Sequence, residues 1–92
     1  MIELTHVLAR SERVVAQHAQ GEQVLLALDS GQYYTLTDVG STVWSLCDGS
    51  ATLASVVDAV CAEFDAPPEV VERDVAELVA DLVDEGLLVE AG

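Results

Sequence analysis

The chain has 92 residues, 51% of them hydrophobic, and sets 17 Asp+Glu against three arginines and no lysine, for a net charge of -14. That is enough apolar material for one folded core, with no room for a second. A surface that binds nucleic acid or anionic lipid needs clustered Lys and Arg, and Arg10, Arg13 and Arg73 cannot supply it.

No targeting or membrane segment is legible. Met1 to Arg13 carries Glu3, Arg10 and Glu12 and lacks the apolar stretch of a signal peptide. No apolar run reaches the roughly 18 residues of a membrane span. Cys47 and Cys61, with 13 residues between them, make no disulfide framework. The expectation is a cytoplasmic protein with reduced thiols.

The first third reads as strands. Ile2 to Leu8 suits an extended arm or a further strand, and residues 1–12 stay open on that point. Arg13 to His18 leans to β, and Gln20-Gly21 reads as a turn. Gln23 to Leu28 is apolar on both faces at its centre, as a middle strand is, with Val24, Leu26 and Leu28 on one face and Leu25 and Ala27 on the other. Asp29-Ser30-Gly31 breaks the run, because glycine accepts positive φ and Asp or Ser bonds the local backbone. Tyr33 to Leu36 is aromatic and apolar enough for a third strand. Two turns this short predict a three-stranded antiparallel meander.

The rest reads as three helices. The first starts near Thr37 or Asp38, either of which suits an N-cap, and ends at Gly49 as at a C-cap glycine; Val39, Val43, Leu46 and Cys47 mark its apolar face, with Trp44 beside it. The second follows Thr52, with Leu53, Val56, Val57, Val60, Cys61 and Phe64 in one stripe. Pro68 opens the third, where its missing N–H costs nothing, and Gly86 stops it. Val71, Val75, Leu78 and Leu82 form its main stripe and Val79 and Val83 a second row. Glu69 and Arg73 are spaced as an i, i+4 ion pair. Leu87-Leu88-Val89 leaves as an apolar tail that folds back on the core. The expected fold class is α+β: one three-stranded antiparallel sheet followed by three helices in winged helix-turn-helix style, a single domain over residues 1–92.

Catalytic material is sparse. His6 and His18 have no Cys, His or Asp partner at metal spacing, so no metal or cofactor is expected. Cys47 and Cys61 sit on apolar helical faces, as inert core thiols do. Asp29-Ser30-Gly31 resembles the triplet of aspartic proteases, but that chemistry needs two carboxylates sharing a proton, hence a dimer. The same Asp-Ser also resembles the phosphopantetheine site of carrier proteins, where a leucine follows and a helix begins; here Gly31 follows. A hairpin turn accounts for the triplet with less. The last turns of the third helix break a local rule, since Asp81, Asp84 and Glu85 sit at the negative end of its dipole. A solvated face accounts for them, and a basic group on a partner is the sharper alternative.

The third strand is more informative. Tyr33 to Leu36 has no charge and no proline. As a bare sheet edge it is an aggregation hazard, so it is either covered, by the leading arm or the third helix, or used. Use means β-augmentation, in which an extended peptide pairs with the edge and drops side chains into apolar pockets; the Val79 and Val83 row is one candidate wall.

The run Val24-Leu25-Leu26-Ala27-Leu28-Asp29-Ser30-Gly31-Gln32-Tyr33-Tyr34-Thr35-Leu36, then Val39-Gly40, Val43-Trp44 and Asp48-Gly49, closely resembles the PqqD-like proteins. Asp65-Ala66-Pro67-Pro68, Val71, Asp74-Val75, Leu78 and Gly86-Leu87-Leu88 continue the likeness, which spans about residues 13–88. That family includes the peptide chaperone of pyrroloquinoline quinone biosynthesis and the recognition elements of ribosomally made, modified peptides. The resemblance implies that a precursor's leader is bound as an added strand against the third helix. Carried over by position, Tyr33, Tyr34, Thr35 and Leu36 are the strand side, and Val71, Asp74, Val75, Leu78, Val79 and Leu82 the helix side.

The expected function is a non-enzymatic adaptor, a monomer when peptide-bound, most like the discrete leader-binding protein of lasso-peptide pathways. Its partners would be the precursor, a leader peptidase and a cyclase. The quinone-pathway chaperone, which serves a radical SAM enzyme, is the close alternative. A winged-helix DNA binder, a dimeric Asp29 protease and a homodimer paired through the strand edge are the rivals of other classes.

Overall fold

The computed structural model describes residues 3–20 and 22–91, apart from the side chain of Thr37. In chain order the elements are β1 (Val7–Arg10), β2 (Val14–Ala19), β3 (Glu22–Ala27), β4 (Tyr33–Thr37), α1 (Val39–Leu46), β5 (Asp48–Thr52), α2 (Leu53–Phe64), α3 (Pro68–Asp84) and β6 (Leu88–Glu90). The predicted meander is present as an antiparallel sheet of order β2-β3-β4. A second antiparallel sheet, of order β5-β1-β6, corrects the one-sheet expectation.

Local chemistry explains the first sheet. β3 is central and faces the core through Gln23, Leu25 and Ala27, while Val24 and Leu26 face the other way, half-buried. Gly31 at φ 74 closes the β3–β4 hairpin, donating its N–H to Ala27 O at 2.8 Å, and Ala27 N–H returns to Gln32 O at 3.0 Å. Asp29 in that turn holds the Arg13 guanidinium at 2.9 and 3.1 Å, an exposed pair that ties the hairpin to the start of β2. Of the Gln20-Gly21 turn, Gln20 has φ 53; Gly21 lies outside the described residues, as do Met1 and Ile2 of the predicted arm.

The second sheet rests on pairings distant in sequence. The arm enters it as β1, which pairs with β5 on one side and with β6 on the other, Ala9 opposite both Asp48 and Val89. Gly49 therefore belongs to β5 and does not cap α1, which ends at Leu46 with Cys47 as its C-cap. Arg10 spans the join: its Nη1 donates to Trp44 O at 3.1 Å and Ser45 O at 2.9 Å, placing a cation on the last carbonyls of α1. At the other end of α1, Asp38 takes φ 48 and its side chain makes no cap bond, so that expected cap is also corrected.

The longer helices follow their patterns. Thr52 Oγ1 accepts the Ser55 N–H at 3.2 Å to start α2, and Pro68 opens α3. Gly86 at φ 75 ends α3 by donating to Val83 O at 3.0 Å. Arg73 lies 3.7 Å from Asp74, its neighbour in sequence, in place of the expected pair with Glu69. Leu8 from β1, Leu25 from β3, Val43 and Trp44 from α1, Val56 and Val60 from α2, Val75 and Val79 from α3, and Leu87 and Leu88 after it all join one buried cluster.

Cys47 is fully buried in that cluster and Cys61 half-buried, both as free thiols. Burial pushes the Cys47 thiol from its ordinary 9.0 to about 11, with Arg10 opposing and Asp48 adding. The folded state thus keeps a proton that the unfolded chain releases. The thiol's contribution to stability is complete below pH 9.0 and is lost as pH rises toward about 11. Iodoacetamide applied to the native protein at about pH 8 is expected to label Cys61 and spare Cys47, read by peptide mass mapping, because the buried thiol is both shielded and protonated. Equal labelling of the two thiols would contradict this packing.

Candidate functional site

β4 pairs with β3 alone, so one of its edges is open among the described residues. Among the described residues the leading segment does not cover it, since β1 lies between β5 and β6. Antiparallel strands alternate between residues that bond their neighbour and residues that point away. Leu28 N–H donates to Arg13 O at 2.9 Å and Ala27 N–H to Gln32 O at 3.0 Å, which sets the phase on both sides of β3. With Leu25 opposite Tyr34 and Gln23 opposite Leu36, those pairs bond inward. The main-chain groups of Tyr33 and Thr35 point outward, spaced for an added strand.

The side chains alternate as well. Tyr34 and Leu36 turn toward the core, half-buried and buried respectively. Tyr33, 71% exposed, and Thr35 occupy the opposite face.

α3 lies beside this edge and is joined to it at two levels. Near the C-terminal end of α3, the Tyr34 hydroxyl lies 2.8 Å from Glu85 Oε2 and 2.8 Å from the side-chain oxygen of Gln32; its one proton goes to the charged acceptor. One level along, Gly40 at the start of α1 sits between Leu36 and Leu78, where a Cβ would meet them at 3.5 and 3.7 Å. Glu85 thus lies near Tyr34 and Leu78 near Leu36, so helix and strand run in opposite directions with a cleft between them.

The helical period separates the α3 residues expected at the site. Val71, Val75, Val79 and Leu82 are at most 6% exposed and pack the core. Asp74 is exposed and Leu78 half-buried. Asp74, Leu78, Asp81 and Glu85 follow at i, i+4, i+7 and i+11 along the flank that carries the Leu78 and Glu85 contacts. The accessible wall of the cleft is therefore one leucine among carboxylates, with the valines supporting it from beneath. Val83 turns to the other flank, where with Ala80, Leu88 and Val89 it lines an open groove of about 600 Å3 beside β6.

Other sequence features carry less. His6 Nδ1 lies 3.2 Å from Glu90 and accepts the Glu3 N–H at 3.2 Å, a local arrangement at the surface. Among the described residues no three His, Cys, Asp or Glu side chains are grouped as a metal site, and no helix is long and apolar enough to cross a membrane.

Comparison with known proteins identifies the family. Residues 22–88 match the family described as Coenzyme PQQ synthesis protein D (PqqD). The PqqA binding protein of Rhodopseudomonas palustris (strain ATCC BAA-98 / CGA009) is 31% identical over 92% of this chain and 81% of its own length. That of Bradyrhizobium diazoefficiens is 29% identical over 88% and 84%. Among solved structures, TbiB1 in complex with the TbiA(beta) leader peptide superposes with a TM-score of 0.81 at 39% identity, over 87% of this chain and 93% of that one. Lasso peptide synthetase B1 complexed with its leader peptide shares the fold, with a TM-score of 0.80 at 23% identity, over 90% and 98%. The chain belongs to the PqqD family.

The bridge across the cleft is directly testable. The hydrogen bond to Glu85 pushes the Tyr34 phenol above its ordinary 10.0, with burial and the Glu85 charge adding to it. In Glu85→Gln the Tyr34 titration, followed by phenolate absorbance with Tyr33→Phe as background, is expected to move down toward that ordinary value. An unmoved midpoint would show that the bridge does not form in solution.

Proposed function

We propose that this chain captures the leader region of a ribosomally synthesised precursor peptide as a fourth strand on β4, in the cleft against α3, and presents it to the enzymes that modify the precursor. The observation that carries the reading is the outward-facing main chain of Tyr33 and Thr35 beside an accessible flank of α3. Backbone pairing supplies affinity that any extended peptide can use, and alternate side chains meeting Tyr34, Leu36, Leu78 and Asp74 supply selection. Val71, Val75, Val79 and Leu82 take part by holding that wall in place.

The resemblance to TbiB1, solved with a leader peptide and higher in identity than that to the PqqA binding proteins, supports leader capture; the receiving enzymes we propose are the leader peptidase and cyclase of a lasso-peptide pathway, as the sequence resemblance implies. The second reading, a peptide chaperone of the quinone pathway, is supported by the PqqA binding relatives. In either case the chain acts as a non-enzymatic cytoplasmic adaptor, monomeric with its peptide. It raises the effective concentration of the precursor at the enzyme and makes or breaks no bond itself.

Thr35→Pro is a selective test. The lost N–H points away from β3, so the substitution removes a donor from the open edge and none from the β3–β4 ladder. Leader affinity, measured by anisotropy of a labelled leader peptide that the wild-type chain binds, is expected to fall by about ten-fold or more, with the far-ultraviolet spectrum retained. Undiminished affinity would contradict strand addition on β4. Titration with a PqqA-type peptide in parallel separates the two pathways.

A further inference from the structure

α3 lies between two open strand edges. Among the described residues β6 ends its sheet, as β4 ends the other. Ser11 N–H donates to Leu87 O at 3.0 Å and Ala91 N–H to Val7 O at 2.7 Å, and Val89 stands opposite Ala9, so Leu87, Val89 and Ala91 bond inward to β1. The main-chain groups of Leu88 and Glu90 therefore point outward. Beside them lies the open groove of about 600 Å3, whose other wall is Ala80, Val83 and Asp84 of α3. Val89, 45% exposed, also lines it. The two flanks of α3 meet in its last turns, where Asp81 and Glu85 border the β4 cleft and Asp84 borders the groove. All three carboxylates are exposed at the negative end of the helix dipole. The chain's arginines do not neutralise them, and it has no lysine. Arg10 sits on the carbonyls of α1, Arg13 on Asp29 and Arg73 beside Asp74. Glu90, across the groove, faces His6 at 3.2 Å.

We propose that the captured peptide continues past the β4 cleft: its C-terminal continuation crosses the last turn of α3 as a basic stretch and lies in the groove beside β6. The inference rests on strand addition at β4. Every described pairing in the fold is antiparallel, and a leader paired likewise with β4 runs from Leu36 toward Tyr33. It leaves the cleft beside Glu85, which the Tyr34 bond holds at that end. Crossing a helix about 10 Å wide takes about four extended residues. These pass Glu85, Asp81 and Asp84, whose charges select Lys or Arg there. The residues after them pair with the outward main chain of Leu88 and Glu90 and set apolar side chains against Val83 and Val89. Two contacts on one chain reinforce each other, because the first raises the effective concentration of the second. A second copy of this protein is the poorer occupant, because it brings a charge of -14 to a rim that is already acidic.

The test compares two synthetic probes. One is a leader peptide that the wild-type chain binds, cut back to the residues that pair with β4. The other is the same peptide with the precursor's next ten residues. Both are followed by amide hydrogen exchange and by anisotropy. The shorter peptide is expected to slow exchange at Tyr33 and Thr35 and to leave Leu88 and Glu90 unchanged. The longer one is expected to slow Leu88 and Glu90 as well and to bind about ten-fold more tightly. D84K is expected to remove most of that gain, with affinity for the shorter peptide within about two-fold of wild type. D58K makes the same change of charge at an exposed position of α2 and is expected to keep the gain. Equal affinities of the two peptides, Leu88 and Glu90 exchanging as in the free protein, or an equal loss in D58K would each overturn the proposal. Dimers of the peptide-free chain in sedimentation that protect Leu88 and Glu90 would overturn it too, in favour of a second copy. A shorter peptide that binds without slowing Tyr33 and Thr35 would instead sink strand addition, and the response of Leu88 and Glu90 to the longer peptide would still decide the groove.

Discussion

The outward main chain of Tyr33 and Thr35 is the constraint on which the rest of this structure turns. A backbone amide left without a partner must reach water or another polypeptide. β3 satisfies one edge of β4 and nothing among the described residues satisfies the other. The leading segment, the nearest candidate for that role, is spent as β1 in a second sheet. Leu8 is fully buried there, and Arg10 is fastened to the carbonyls of α1. The energy that anchors β1 to β5, β6 and α1 therefore also keeps the β4 edge vacant.

α3 turns that vacancy into a cleft with one wall of defined chemistry. Its buried stripe fixes its height over the sheet, and the Tyr34–Glu85 bond and the Leu36, Gly40 and Leu78 contacts fix its distance from β4. An added strand would then be read on two sides. Half of its side chains face Leu78 and the carboxylates of α3, and the other half join Tyr33 on the outer face.

The sequence made the local parts of this fold legible. Alternation and the Asp29-Ser30-Gly31 turn marked the meander, the α2 and α3 stripes marked two helices, and Pro68 and Gly86 marked the ends of α3. The second sheet was hidden because β5 reads Asp-Gly-Ser-Ala-Thr, with no apolar alternation, and is a strand by virtue of pairing with Val7 and Ala9. A long-range pairing of that sort leaves no local periodic mark. At the site, the uncharged run Tyr33 to Leu36 disclosed the edge, and the apolar stripe disclosed α3. Periodicity could not tell core valines from cleft residues, since Val71, Val75, Val79 and Leu82 repeat with Leu78. Asp81 and Glu85 were visible as anions at the wrong end of a helix dipole, and their spacing from Leu78 puts them on one flank; that this flank faces β4 emerged only when Glu85 was seen bonded to Tyr34.

Amide hydrogen exchange at four consecutive residues tests the central claim most directly. On saturation with leader peptide, the N–H groups of Tyr33 and Thr35 are predicted to exchange about ten-fold more slowly or better, while those of Tyr34 and Leu36, already bonded to β3, change far less. A peptide complex of proven stoichiometry in which Tyr33 and Thr35 exchange as fast as in the free protein would contradict the account.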